Sequence, residues 1–294
     1  MAETRVAGTI YDLGYQRYAG QRLGRNSAIA NLIRYSFRAA FGLGRGTRAK
    51  LLPMFVTAIV FLPAIVQVGV ASATGQPQLV NYANQLDFTA FLLALFAAAQ
   101  SPELVVTDKQ QGVLSLYLSR PITAADYAMS KMFALSAAML VITLGPQLFM
   151  FLGKTLLSTT PWTTLKTEFS MLGPIIGGTA MTSLFVAAIG LSLSSLTAKR
   201  SYGTALVIAV FLLLPAAAQI IRSFTTGNIR RYANLANPIL VITGFVNWLF
   251  DVQARRRAVI TRLDLPPQAY LYMMIAVIVI GVAVLVWRYR KQQA

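Results

Sequence analysis

The chain has 294 residues, of which 56% are hydrophobic and only 12% charged, with a net charge of +17. A soluble protein carries about 25% charge, so little of this chain can face water; its bases lie between and beside apolar segments, the membrane pattern and not that of a nucleic-acid binder. There is no cysteine and no histidine, which excludes disulfides, Cys/His zinc sites, histidine-ligated haem and Ser-His or Cys-His catalysis.

Residues 1–25 alternate glycines and aromatics with arginines and sustain no helical period. By composition they form a basic tail for anionic headgroups. No short apolar core with a small-residue cleavage site occurs here, so no cleavable signal peptide is expected and the first span should act as its own insertion signal. Over 26–41 the pattern changes. Ile29, Leu32, Ile33, Phe37, Ala40 and Phe41 fall on one helical face, and Asn31, Arg34 and Arg38 on the other. Asn26 or Ser27 is placed to cap the start. So basic an amphipathic helix, just before a span, should lie in the membrane interface. Gly42, Gly44 and Gly46 then end it.

A helix rising 1.5 Å per residue needs about 20 apolar residues to cross the hydrocarbon layer. Six segments qualify, near 51–72, 86–107, 125–152, 170–197, 202–221 and 266–287. The fold expected is an all-α polytopic membrane protein, with residues 1–50 as an N-terminal segment and 51–294 as a six-helix membrane domain. Prolines inside spans predict kinks at Pro63, Pro146 and Pro215. The spacings Gly173 to Gly177 and Gly178 to Thr182 predict close helix packing. With the N-terminus inside, seventeen Lys and Arg fall on inside segments and nine on outside ones. The positive-inside rule therefore predicts cytoplasmic N and C termini. The exception is the last outside loop, 222–267, which alone holds seven arginines.

Within that loop Asn237–Pro238 is a helix start, with Asn as cap and Pro at the first helical position. Ile239 to Phe250 is apolar but too short to span. It should be an interfacial or re-entrant outer helix, with Trp248 at headgroup level and Arg255, Arg256 and Arg257 after it. The arginines read as a lipid-phosphate-facing run or as a substrate-attracting patch.

Chemistry of the chain's own is hard to find. Gly153-Lys154-Thr155 resembles the end of a phosphate loop, but Leu148 stands where the first glycine should be and the segment ends a span instead of following a strand. The nine acids form no Asp-x-x-x-Asp pair, and no charge is expected at a bilayer centre. No metal site and no cofactor of this chain's own is predicted. A transport-like body without an energy source points to an energy-supplying partner.

The stretch 101–131 is the place for that partner. It carries Glu103, Asp108 and Asp126 with Lys109, Arg120 and Lys131. Residues 103–111 should extend the second span as a helix, and Gly112 should interrupt it. Val113, Leu114, Leu116, Tyr117 and Leu118 are too apolar for a free loop and mark either a binding surface or a re-entrant hairpin packed on its own protein. Ser119-Arg120-Pro121 turns the chain. Thr123 and Asp126 form a capping box that starts the third span.

Glu103 with Asp108, Gly112-Val113-Leu114-Ser115-Leu116, Leu118-Ser119-Arg120-Pro121, Tyr127 and Lys131 together resemble the signature of ABC-2 type transporter permeases. The segment Leu13-Gly14-Tyr15, Tyr18, Gly20, Arg22, Gly24-Arg25 resembles a bacterial branch of that family. These motifs cover 13–50 and 101–131, and the topology covers the rest. The resemblance implies a membrane subunit without an ATPase site in a bacterial plasma membrane, paired with a second permease copy, a homodimer in a 2+2 assembly. Each copy would dock a separate nucleotide-binding subunit that holds Mg-ATP. It implies export, and apolar, aromatic-rich spans suit a drug, lipid or peptide. It makes the 26–41 helix a connecting helix at the lipid surface, and Glu103, Asp108, Gly112, Leu114, Arg120 and Pro121 the residues coupling to the ATPase. The outer loop with Trp248 and Arg255–Arg257 becomes a lid. The competing readings are a cation-coupled secondary transporter and a non-transporting membrane scaffold.

Overall fold

The computed structural model describes residues 24–113, 117, 122–251, 265–266 and 268–291. Among them the fold is helical and contains no strand. The first helix, α1 (Arg25–Ala40), is followed by α2 (Thr47–Thr74), α3 (Tyr82–Gln110) and α4 (Ala124–Leu156). A short α5 (Pro161–Glu168) leads into α6 (Leu172–Ser195), then α7 (Arg200–Phe224). A short α8 (Gly227–Tyr232) precedes α9 (Pro238–Leu249) and α10 (Gln268–Arg290).

Six of these helices are long and apolar enough to cross a membrane, and they match the six predicted spans. The helix centre is built from α3, α4 and α6, where Leu86, Leu93, Phe96, Leu135, Met139 and Phe185 are buried. Helices α2, α7 and α10 are peripheral, and α2 leaves Leu51, Met54, Phe55 and Leu62 exposed. Apolar side chains facing outwards are what a lipid solvent requires of spans whose backbone bonds are satisfied internally. The helices run unbroken through Pro53, Pro63, Pro102, Pro146 and Pro215.

Helix α1 departs from its prediction at its start. Its N-cap is Gly24, which gives no side-chain cap, and Asn26 and Ser27 lie inside the helix. The Gly24 carbonyl accepts from Ser27 N and Ala28 N instead. Leu32, Ser36, Ala39 and Ala40 are buried where α1 packs on α4 and α3. Phe37 and Phe41 pack edge to face at 5.3 Å, and Phe41 lies 6.3 Å from Phe96 of α3. Arg34 and Arg38 remain exposed on the other face.

The small-residue spacings divide. A Cβ at Gly178 would lie 3.0 Å from Leu249 and 3.3 Å from Leu86, and Thr182 is buried. Among the described residues Gly173 and Gly177 meet nothing within 4 Å, so their pair makes no close contact with them. Close approaches fall elsewhere, at Gly190 against Ser101 and at Gly244 against the Tyr270 ring. Asn237 caps α9 as predicted, accepting from Ile239 N at 3.0 Å and Leu240 N at 3.1 Å. With Val241, Ile242, Phe245, Val246 and Asn247 buried against α3, α6, α7 and α10, α9 is set into the bundle and does not lie flat on its surface.

Candidate functional site

Helix α3 has 29 residues, more than the roughly 20 that a crossing needs. Its last turns carry three charged groups, Glu103, Asp108 and Lys109. Glu103 and Asp108 are 8% and 9% exposed, and charges so buried persist only when paired. Each has partners from other parts of the chain. Glu103 takes Arg45, from the turn between α1 and α2, and Arg200, the first residue of α7. That turn depends on Gly42, whose φ is +67° and whose Cβ would collide with the Ala49 carbonyl oxygen.

Asp108 pairs with Lys131 of α4, Nζ to carboxylate 2.7 Å, and Tyr127 donates its hydroxyl to the same oxygen at 2.6 Å. The Lys131 side chain is 1% exposed and sits 5.3 Å from the Tyr127 ring centroid. Tyr127 in turn meets Tyr289 of α10 edge to face at 4.8 Å. Lys109 donates to the Ser195 carbonyl and Gln110 to the Ala198 carbonyl at 3.1 Å. The first fills an acceptor that the end of α6 leaves open, and the second ties α3 to the α6–α7 turn.

Asp126 works from the start of α4. Its carboxylate accepts from Thr123 N at 2.9 Å while the Thr123 hydroxyl accepts from Asp126 N at 3.2 Å, the predicted capping box. Arg25 then clamps it with two bonds, at 3.0 and 2.8 Å. The hydrogen bond and charge of Asp126 raise the Arg25 guanidinium above its ordinary range. One end of the bundle thus ties the first turn of α1, the α1–α2 turn and the starts of α4 and α7 into a charged collar around the end of α3. The feet of α6 and α10 join the same collar.

The predicted site residues fall unevenly on this collar. Glu103 and Asp108 lie inside it, not on its surface. Gly112 follows the end of α3 with φ +67°, a left-handed turn that a glycine makes without strain. Val113 and Tyr117 are half-buried, and the Tyr117 ring is 5.9 Å from Tyr127. Leu114, Arg120 and Pro121 lie outside the described residues, as do Arg255, Arg256 and Arg257. Leu32 is buried, Ile29, Ile33, Phe37 and Phe41 are half-buried, and Trp248 is 40% exposed.

At the opposite end Lys154 pairs with Glu168 at 2.6 Å, and the Tyr82 hydroxyl donates to Glu168 at 3.0 Å. The lysine of the phosphate-loop fragment is therefore a structural ion-pair partner. Gly153 is there because a Cβ would lie 2.7 Å from Val68. Among the described residues no group of acids could hold a metal ion.

The family model for ABC-2 family transporter proteins matches residues 25–294. This chain belongs to that family. A comparison with curated proteins returned no match. This ABC-2 permease is a multi-pass membrane subunit, and the match begins at Arg25, the residue that clamps Asp126. Sequence reasoning missed Arg45, Arg200, Arg25 and Tyr289 as members of the permease's collar. The placement of Arg45, Glu103 and Arg200 at span ends on one predicted side was a usable signal. Which base meets which acid was not, because the partners are 58 to 101 residues apart.

Proposed function

We propose that the chain is the membrane-spanning permease subunit of an ATP-driven exporter, with both termini in the cytoplasm of a bacterium. A separate nucleotide-binding subunit, which binds Mg-ATP, docks on the α1 end, and a second copy completes a 2+2 homodimeric assembly. The cargo is hydrophobic or amphipathic, in the class of drugs, lipids or peptides. Hydrolysis belongs to the partner, since this chain's phosphate-loop fragment has Leu148 in place of the glycine and its lysine is engaged by Glu168.

The observation that carries this reading is the collar. A docking surface is useful for transport only if a push on it moves spans. Here the last turns of α3, which lead into that surface, are bound through Glu103 and Asp108 to α4, α7 and the α1–α2 turn. In this reading Glu103 and Asp108 are positioning residues that transmit force, and residues 112–121 make the contact. The outer loop 222–267 acts as a lid over the exit, held by α9 within the bundle.

Reconstitution in sealed vesicles tests it. Transport should require ATP and the nucleotide-binding subunit, and should fall at least tenfold in Glu103→Gln while the two subunits still copurify. Transport driven by an ion gradient without ATP would overturn it in favour of a secondary transporter. Neither behaviour would leave a scaffold.

A further inference from the structure

Between α6, α7 and α10 lies a cleft of about 390 Å³. Its walls are almost wholly apolar, with Phe185 and Ile189 behind, Val210 and Leu214 on one side, and Val277 and Val284 on the other. The turn at Ala233–Ala236 and Pro238 of α9 close it at the Glu168 end. On α10 the lining runs from Met273 to Val284, about 16 Å along the axis at 1.5 Å per residue. The space is long and narrow, suited to one hydrocarbon chain. Leu196, Leu214 and Ile280 at its rim are exposed, so it opens sideways towards lipid.

The α1 end of the cleft is basic. Arg288 stands one turn beyond Val284 on the same face of α10, and its Nε is buried without a hydrogen-bond partner among the described residues. Lys109 reaches the Ser195 carbonyl at the foot of α6 and lies 5.6 Å from the ring of Tyr289, the neighbour of Arg288. Lys199 follows three residues after Leu196. The acids at this end are already engaged: Glu103 by Arg45 and Arg200, Asp108 by Lys131, and Asp126 by Arg25. No carboxylate of a described residue pairs with Arg288, Lys109 or Lys199.

We propose that this cleft is a binding site for an anionic phospholipid from the leaflet at the α1 end, one acyl chain lying along α6 and the phosphate on Arg288. Lys109 and Lys199 add attraction without direct contact. The site follows from the fold and its charges and does not depend on the transport reading.

The test uses the full chain with Trp162, Trp248 and Trp287 replaced by Phe and a single reporter, Leu214→Trp, at the rim. Vesicles of phosphatidylcholine contain an equal fraction of either brominated phosphatidylglycerol or brominated phosphatidylcholine, and quenching is compared. The site predicts a preference for phosphatidylglycerol of roughly fivefold, the effect of one basic residue near the surface. A control reporter, Leu62→Trp on lipid-facing α2, should show no preference, and Arg288→Gln should remove it at position 214. Equal quenching at 214, or a preference that survives Arg288→Gln, overturns the proposal. So does shielding of 214 from both lipids with Leu214→Cys chains crosslinking to each other, which would make the occupant a second copy. If the reporter chain fails to insert, native mass spectrometry of the wild type decides. Phosphatidylglycerol retained and lost in Arg288→Gln supports the site, and no selective retention overturns it.

Discussion

Asp108→Asn is the most informative single change. The carboxylate is 2.7 Å from Lys131 Nζ, and the Lys131 side chain is 1% exposed. The asparagine oxygen can still accept from the Tyr127 hydroxyl, so what is lost is the negative charge alone. Lys131 is then left as a buried cation with no counter-charge, facing only a neutral amide oxygen and the Tyr127 ring 5.3 Å away. Breaking one side of a buried pair costs about 3–5 kcal/mol, whereas replacing both sides by well-packed neutral groups is often near neutral. The double variant Asp108→Asn/Lys131→Met should therefore recover most of the loss, giving a coupling of roughly 2–4 kcal/mol in the double-mutant cycle. Unfolding in mixed micelles with rising sodium dodecyl sulfate, followed by far-UV circular dichroism, measures all four corners. A cost below about 1 kcal/mol for Asp108→Asn, or single costs that simply add, would refute the claim that this pair is a buried and compensated unit. Asp108→Arg would set a second cation against Lys131 and damage folding before it could report on coupling.

Gly244→Ala should destabilise the chain by about 1–3 kcal/mol in the same assay, because its Cβ would lie 2.7 Å from the buried Tyr270 ring. Gly177→Ala, in open space, should leave stability within about 0.5 kcal/mol of wild type. Asn237→Ala removes the two-bond cap of α9 and should cost about 1 kcal/mol. Single cysteines at Gln110 and Tyr202 should label with an impermeant maleimide from the cytoplasm, and those at Gln76 and Asn228 from the opposite side. Labelling of 110 from outside would invert the proposed orientation.

The six spans were legible because length and hydropathy are local properties. So were the Thr123–Asp126 box and the Asn237–Pro238 start, whose partners are within three residues. The start of α1 was not. Asn26 and Ser27 are good caps by type, but Arg25 is held by Asp126, 101 residues away, and the helix begins where that clamp fixes it. The close-packed glycines were half legible for a similar reason. Spacing flags Gly173 and Gly177 as readily as Gly178, and only the position of Leu249 and Leu86 separates them. At the candidate site, residue type and order marked Glu103 and Asp108 as important, but their burial turns them from contact residues into internal ties. That change depends on Arg45, Arg200 and Lys131 arriving from three other parts of the chain.

The central claim is that a nucleotide-binding subunit meets the segment just beyond α3. A photoreactive residue at Val113, which follows Gly112 and is half-buried, tests it in native membranes. Illumination should yield an adduct between this chain and an ATP-binding subunit, and the same probe at Asn228 should yield none. An adduct with that subunit at Asn228 and none at Val113, or crosslinks at Val113 only to the chain itself, would contradict the account.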